Sequence, residues 1–202
     1  MQRDNNIIQL NPPDQDTVAY ILARAFQNDP FYRFVFPDEK KRSRELQWLM
    51  QKVVNYSLRY GAVYTTLEKE GVLCWLPPDN TELTFGRIVR TGLHLIVLRF
   101  GLAAYRRFND NMSYTGQLHT YHAPGPHWYL WAIGVDPSDQ GKGIGGKLMQ
   151  PVLASAHAAD TPCYLETHNE KNIHFYEKHG FNVVHEGNVP KHRLSVWAML
   201  RK

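Results

Sequence analysis

Four glycines and two lysines fall within the eleven residues DQGKGIGGKLM at 139–149, between two runs of opposite character. Before them, HWYLWAIGV at 127–135 is aromatic and β-branched and predicts a buried strand. After them, the apolar spacing predicts a helix to about residue 158. A strand that turns through glycines into a helix brings backbone N–H groups and the positive end of a helix dipole to one point. That geometry suits anions, and phosphates above all. The unit also commits the chain to a mixture of strands and helices.

Three phosphate-binding patterns overlay this stretch. Gly141, Gly146 and Lys147 begin a P-loop, but Leu148 stands where a Ser or Thr must hold magnesium. Gly141, Gly143 and Gly146 spell a dinucleotide fingerprint. That fold runs its strand almost directly into the first glycine, whereas Asp136–Gln140 intervene here and Pro137 ends strand pairing. About sixty residues follow, too few for the further strand–helix units such a fold requires. A plain tight turn needs one glycine, and the others would cost backbone entropy without return. The third pattern, Q-x-x-G-x-G, is carried by Gln140, Gly143 and Gly145 and follows the short turn Val135-Asp136-Pro137.

The stretch WAIGVDPSDQGKGIGGKLM resembles the acyl-CoA loop of the GNAT superfamily of N-acetyltransferases. YLETHNEKNIHFYEKHGF at 164–181 is similar to that family's last catalytic strand and helix, ending in Tyr-x-x-x-Gly-Phe. ARAFQNDPFYRFVFP at 23–37 resembles the first helices of the puromycin acetyltransferase-like branch. The resemblance implies an α/β fold of the α+β mixed kind: a mostly antiparallel sheet of six to seven strands, flanked by helices, with a V-shaped splay where the acyl-CoA sits. It implies transfer of an acetyl group from acetyl-CoA to an amine without a covalent enzyme intermediate and without a metal.

On that resemblance the backbone N–H groups of Gly141, Lys142, Gly143, Ile144, Gly145 and Gly146 are expected to bind the diphosphate, with the Gln140 side chain beside them. Lys142 and Lys147 are either phosphate contacts or solvated lysines. The backbones of Ile133 and Val135 are expected to flank the pantetheine arm as a pseudo-strand, and Asn172 to contact it. Asn172 also reads as a helix-start hydrogen-bonding residue. Tyr176 is the candidate general acid, because a phenol is matched to a departing thiolate. A core tyrosine beside Ile173 is the competing assignment.

The general base is less legible. Counting by twos back from Val135 puts Trp131 and Tyr129 on its face, and neither is a good base. Glu166, on the next strand, is the candidate, aided by water, against a structural carboxylate. His127 and His119 are alternatives, with the right chemistry but no geometry fixed by the sequence. Phe31, Tyr32, Phe34, Phe36 and the tyrosines and histidines of 114–122 either line an acceptor pocket for a partly apolar amine or simply pack. A protein amine is the second acceptor class, and a non-catalytic acyl-CoA sensor the alternative of another kind.

The rest of the chain fits one domain over residues 1–202. Apolar periodicity predicts helices over 16–30, 43–61, 84–108 with a weak point at Gly101, 110–121 and 170–180. A hairpin is expected over 62–76 and two strands after Gly180. Pro151 should kink the helix that follows the glycines. The net charge of +4 is modest and scattered, with no stripe for nucleic acid; EKKRSR at 39–44 reads as a solvated helix start. LHLIVL at 93–98 is too short for a bilayer and no leader-type core opens the chain. No membrane is expected, and a monomer or homodimer is. Cys74 and Cys163 lie in apolar runs and read as buried thiols, which fits a cytoplasmic protein.

Overall fold

The computed structural model describes residues 7–202. Its centre is a seven-stranded sheet in the order β1-β2-β3-β4-β5-β7-β6. The strands are β1 (Ile7–Gln9), β2 (Ala62–Thr66), β3 (Gly71–Leu76), β4 (Trp128–Val135), β5 (Cys163–Thr167), β6 (Asn182–Asn188) and β7 (Ser195–Arg201). Every neighbouring pair is antiparallel except β4 and β5, which are parallel. The expected strand count and mixed sheet are therefore those of the molecule, and β1 is the strand the sequence pattern did not reveal.

Helices cover both faces. One face carries α1 (Gln15–Ala25) and α3 (Glu39–Tyr60), joined by the short α2 (Pro30–Val35). Its core includes Leu22, Leu46, Met50, Val54 and Phe36. The other face carries α7 (Ile144–Ala158) and the five-residue α8 (Ile173–Glu177), packed through Leu148, Met149, Tyr176 and Phe181. Because helices cover both sides, all six residues of β3 are buried, and the strand reads GVLCWL without polar alternation.

The region 84–122 departs from the expected pair of helices. It folds as α4 (Phe85–Thr91), a 3-10 turn, α5 (Ile96–Phe100) and the long α6 (Leu102–His122). The breaks fall at Gly92 and Gly101, which take positive φ of 78° and 74°. Once Gly101 has absorbed the turn, nothing interrupts the helix at residue 109. Similarly, α1 ends at Ala25, and Pro30 opens α2 as its first residue. The 170–180 segment is a 3-10 turn followed by α8 and a turn closed by Gly180 at φ 84°.

Arg42 corrects the solvated assignment of 39–44. It is buried, and its guanidinium donates to the carbonyls of Gln27, Phe36 and Pro37, tying α3 to the connections on both sides of α2. Both cysteines are buried free thiols. Burial pushes Cys74 up to about 12 and Cys163 up to about 11, so neither is a nucleophile near neutrality.

Candidate active site

The site begins where two parallel strands diverge. The β4–β5 ladder pairs only Trp128 with Cys163 and Tyr129 with Tyr164. Beyond these pairs β4 runs on to Val135 and β5 to Thr167, with no further rung between them. This is the expected splay. It leaves strand-edge N–H and C=O groups turned toward a gap.

A β-bulge divides β4. Cys74 pairs with Ala132 and Trp75 with Leu130, so Trp131 is extra. Tyr129, Trp131 and Ala132 therefore pack toward α1 and α3, while Ile133 and Val135 pack toward α7. Counting by twos across the bulge fails: Trp131 and Tyr129 lie on the face opposite Val135.

At the end of β4 the loop closes on itself. The Gln140 amide donates to the Val135 carbonyl at 3.1 Å, and Lys142 Nζ bridges Asp139 at 2.6 Å. Arg24 pairs with Asp136 at 3.3 Å, fastening the loop to α1. Gly141 and Gly143 take φ of 80° and 76°, and a Cβ on either would meet open space. Gly143 caps α7 without a side chain, and no acid sits in the first turn. The first-turn N–H groups, which lack acceptors in any helix, face outward with the dipole behind them.

Gly145 and Gly146 have a different reason. A Cβ on Gly145 would stand 3.3 Å from the Phe175 ring, and one on Gly146 would stand 2.9 Å from His179 Nε2. His179 is held there by its Nδ1, which donates to the Phe175 carbonyl at 2.7 Å. These two glycines let α7 lie against the α8 segment, a packing role the pattern alone does not announce. Helix α7 continues through Pro151, beyond the N–H groups that face the gap.

Glu166 sits on β5 past the last rung. Tyr129 Oη donates to Glu166 Oε2 at 2.9 Å. Burial pushes the Glu166 carboxyl up to about 7, against the hydrogen bonding that favours its charged form. Burial and the adjacent carboxylate push both Tyr129 and Tyr164 upward.

His119 and His127 join this group. Their Nε2 atoms are 2.6 Å apart, and the His119 ring lies 4.7 Å from Tyr164 and 4.4 Å from Tyr129. His127 Nδ1 donates to the Gly125 carbonyl at 2.7 Å, so its Nε2 accepts from His119 when both rings are neutral. Burial holds both histidines below their usual range, His119 at about 4. Glu166, His119, His127, Tyr129 and Trp131 line one cavity of about 880 Å³. Of the N-terminal aromatics, Phe31 and Tyr32 line it as well; Phe34 instead packs against His192 and Phe36 against Phe100.

Tyr176 packs on the other side of the sheet. Tyr176 is buried, and burial together with the Asp29 charge raises its phenol. Asp29 caps α2, accepting from Phe31 N at 2.9 Å, and burial pushes its carboxyl up to about 6. Asn172 is half-buried at the start of α8. No group of three His, Cys, Asp or Glu able to hold a metal occurs among the described residues. No described helix is long and apolar enough to cross a membrane.

The family described as "Acetyltransferase (GNAT) family" matches residues 60–181. An uncharacterized N-acetyltransferase of Schizosaccharomyces pombe is 26% identical over 178 residues, covering 83% of this chain and 70% of that protein. The chain spans only 21% and 32% of two longer Dictyostelium discoideum relatives. A Corynebacterium glutamicum structure, described as histone acetyltransferase HPA2 and related acetyltransferase, superposes with a TM-score of 0.69. It is 24% identical, covering 97% of this chain and 94% of its own. Arylalkylamine N-acetyltransferase 2 from Aedes aegypti superposes with a TM-score of 0.67 at 13% identity, covering 98% and 99%. The chain belongs to the GNAT family and is an acetyltransferase.

Proposed function

We propose that this acetyltransferase moves the acetyl group of acetyl-CoA onto the amine of a small molecule by direct attack in a ternary complex. The observation that carries the proposal is Glu166: a carboxylate with a proton affinity near neutrality, set in the wall of a large cavity on the segment of β5 that has left β4. An acceptor amine arrives as an ammonium ion and must lose a proton before it attacks. Glu166 is matched to receive that proton, directly or through water. Tyr129 orients it through Oε2 and favours its charged form.

Acetyl-CoA, when bound, supplies the acetyl group and a thiolate leaving group. The loop fits its diphosphate: Gly141 and Gly143 leave open space, and the first-turn N–H groups of α7 face it without a capping side chain. We assign the diphosphate to the N–H groups of residues 141–146, and the flanking of the arm to the strand edge at Ile133 and Val135 and to Asn172. In this assignment the Gln140 amide braces the loop against Val135, and Lys142 stays paired with Asp139. Tyr176 keeps its proton at Oη, because burial and Asp29 both oppose its ionisation, and we assign it to donate a hydrogen bond to the departing thiolate, which takes its proton from solvent.

His119 and His127 are depressed as bases. We assign them to fixing the rings of Tyr129 and Tyr164 around Glu166. The Aedes aegypti neighbour is named for arylalkylamines, which agrees with a small-molecule acceptor. We propose the cytoplasm as the compartment, on the two buried free thiols. The test is thiol release from acetyl-CoA across a panel of amines. Release that requires both an amine and Glu166 supports the proposal, and a Glu166→Gln protein of full activity overturns it.

A further inference from the structure

The cavity beside Glu166 is much larger than an amino group needs, and its chemistry is one-sided. It measures about 880 Å³. A water molecule takes up about 30 Å³ of liquid, so a minimal amine would leave most of this space to solvent. The six lining residues with a carboxyl, guanidinium or imidazole group fall into two places. Glu166, His119 and His127 form one, and Asp79, Glu82 and Arg87 the other. Arg87 is already engaged, donating to Asn80 Oδ1 at 2.6 Å and lying 4.8 Å over the Tyr60 ring. Asp79 and Glu82 are exposed.

Elsewhere the wall is neutral. Leu83, Ile88, Leu93 and Ile96 contribute aliphatic surface from the α4–α5 segment, while Phe108 and Met112 come from α6. Phe31 and Trp131 supply aromatic surface from α2 and the β4 bulge. The bulge matters here. Without the extra residue Trp131 would share the face of Ile133 and be lost to this cavity.

Resting on the acetyltransferase proposal, we infer that the acceptor is a primary amine with a large apolar body, an aryl or long alkyl group, and that short diamines without such a body are poor acceptors. The amine meets Glu166 and the body fills the wall between α4, α5 and α6. A second ammonium that stops short of the exposed Asp79 and Glu82 would lose its water against aliphatic and aromatic surface.

The experiment compares kcat/KM, read by thiol release, for n-alkylamines of rising length, 2-phenylethylamine, 4-phenylbutylamine, 1,4-diaminobutane and a lysine-containing peptide. Each added methylene is expected to raise kcat/KM about fourfold until the cavity is filled. The phenylalkylamines should exceed 1,4-diaminobutane by more than about a hundredfold, since the short diamine has no apolar body and sets its second ammonium against aliphatic surface. Ile88→Glu sets a carboxylate on the half-buried wall, and should flatten the apolar dependence and raise the diamine while leaving KM for acetyl-CoA unchanged. Met112→Glu repeats the test from α6 should Ile88→Glu fail to fold. A flat dependence on apolar length, or preference for the diamine or the peptide, overturns the inference while leaving acetyl transfer standing. No release with any amine overturns both.

Discussion

Tyr129 and Glu166 come from neighbouring strands that separate beyond the Tyr129–Tyr164 rung, yet their side chains meet at 2.9 Å across the opening. The phenol favours the charged carboxylate, and burial favours the neutral acid. The balance leaves Glu166 at about 7, where a carboxylate ordinarily near 4.5 becomes a base suited to neutral solution.

Removing the phenol should move that balance. In Tyr129→Phe the charged form loses a hydrogen bond, so the Glu166 carboxyl rises further. The acid limb of the pH–rate profile is expected to shift upward by about one unit, the scale of one charge-assisted hydrogen bond. Activity falls at pH 7 and recovers at higher pH. His119→Ala should lower kcat without moving the limb, because His119 at about 4 does not titrate there. A limb that disappears with His119 would transfer the role of base to it.

Glu166→Gln should cost roughly 10²–10⁴-fold in kcat/KM and abolish the limb. It should also stabilise the protein, with a defined sign. The folded carboxyl holds its proton more tightly than the unfolded one, so its contribution is fully present below about 4.5 and lost as pH rises through about 7. The gain from glutamine should therefore be near zero at pH 4 and reach up to about 3 kcal/mol above pH 7. Denaturant melts at the two pH values check this, and equal gains would contradict it.

Tyr176→Phe should lower kcat by roughly 10²-fold with little change in KM for acetyl-CoA. Pre-steady-state thiol release measures the step directly. Unchanged turnover would return Tyr176 to the core residues beside Phe181.

Gly146→Ala tests the packing role of the second glycine pair. Its Cβ would meet His179 Nε2 at 2.9 Å, and that ring is held by Phe175. A loss of about 1–2 kcal/mol is expected, partly restored in Gly146→Ala/His179→Ala. Additive losses in the double variant would count against the contact.

The chain's pattern announced those portions of the site built from contiguous residues. The strand before the glycines, the positive-φ glycines and the carboxylate of β5 are local features with local signatures. What stayed hidden depends on partners distant in sequence. The bulge at Trp131 arises from pairing with Cys74 and Trp75, and no glycine or proline marks it. It turned Tyr129 from an unpromising base into the orienting partner of Glu166. The His119–His127 contact joins a helix end to a turn whose approach is set by α6, a helix that the apolar periodicity divides between 84–108 and 110–121. Gly145 and Gly146 answer to α8, about thirty residues away. Arg42 lies among charges that suggest solvent, while three carbonyls wait for it inside.

The most direct test of the account is a calorimetric titration of the folded protein with acetyl-CoA, alongside Gly143→Val, whose side chain would enter the open space before α7 and strain a φ of 76°. Saturable heat for the native chain, with affinity at least about tenfold weaker in a variant of unchanged circular dichroism, is the predicted result. No heat from acetyl-CoA, or equal affinity in the two proteins, would contradict it.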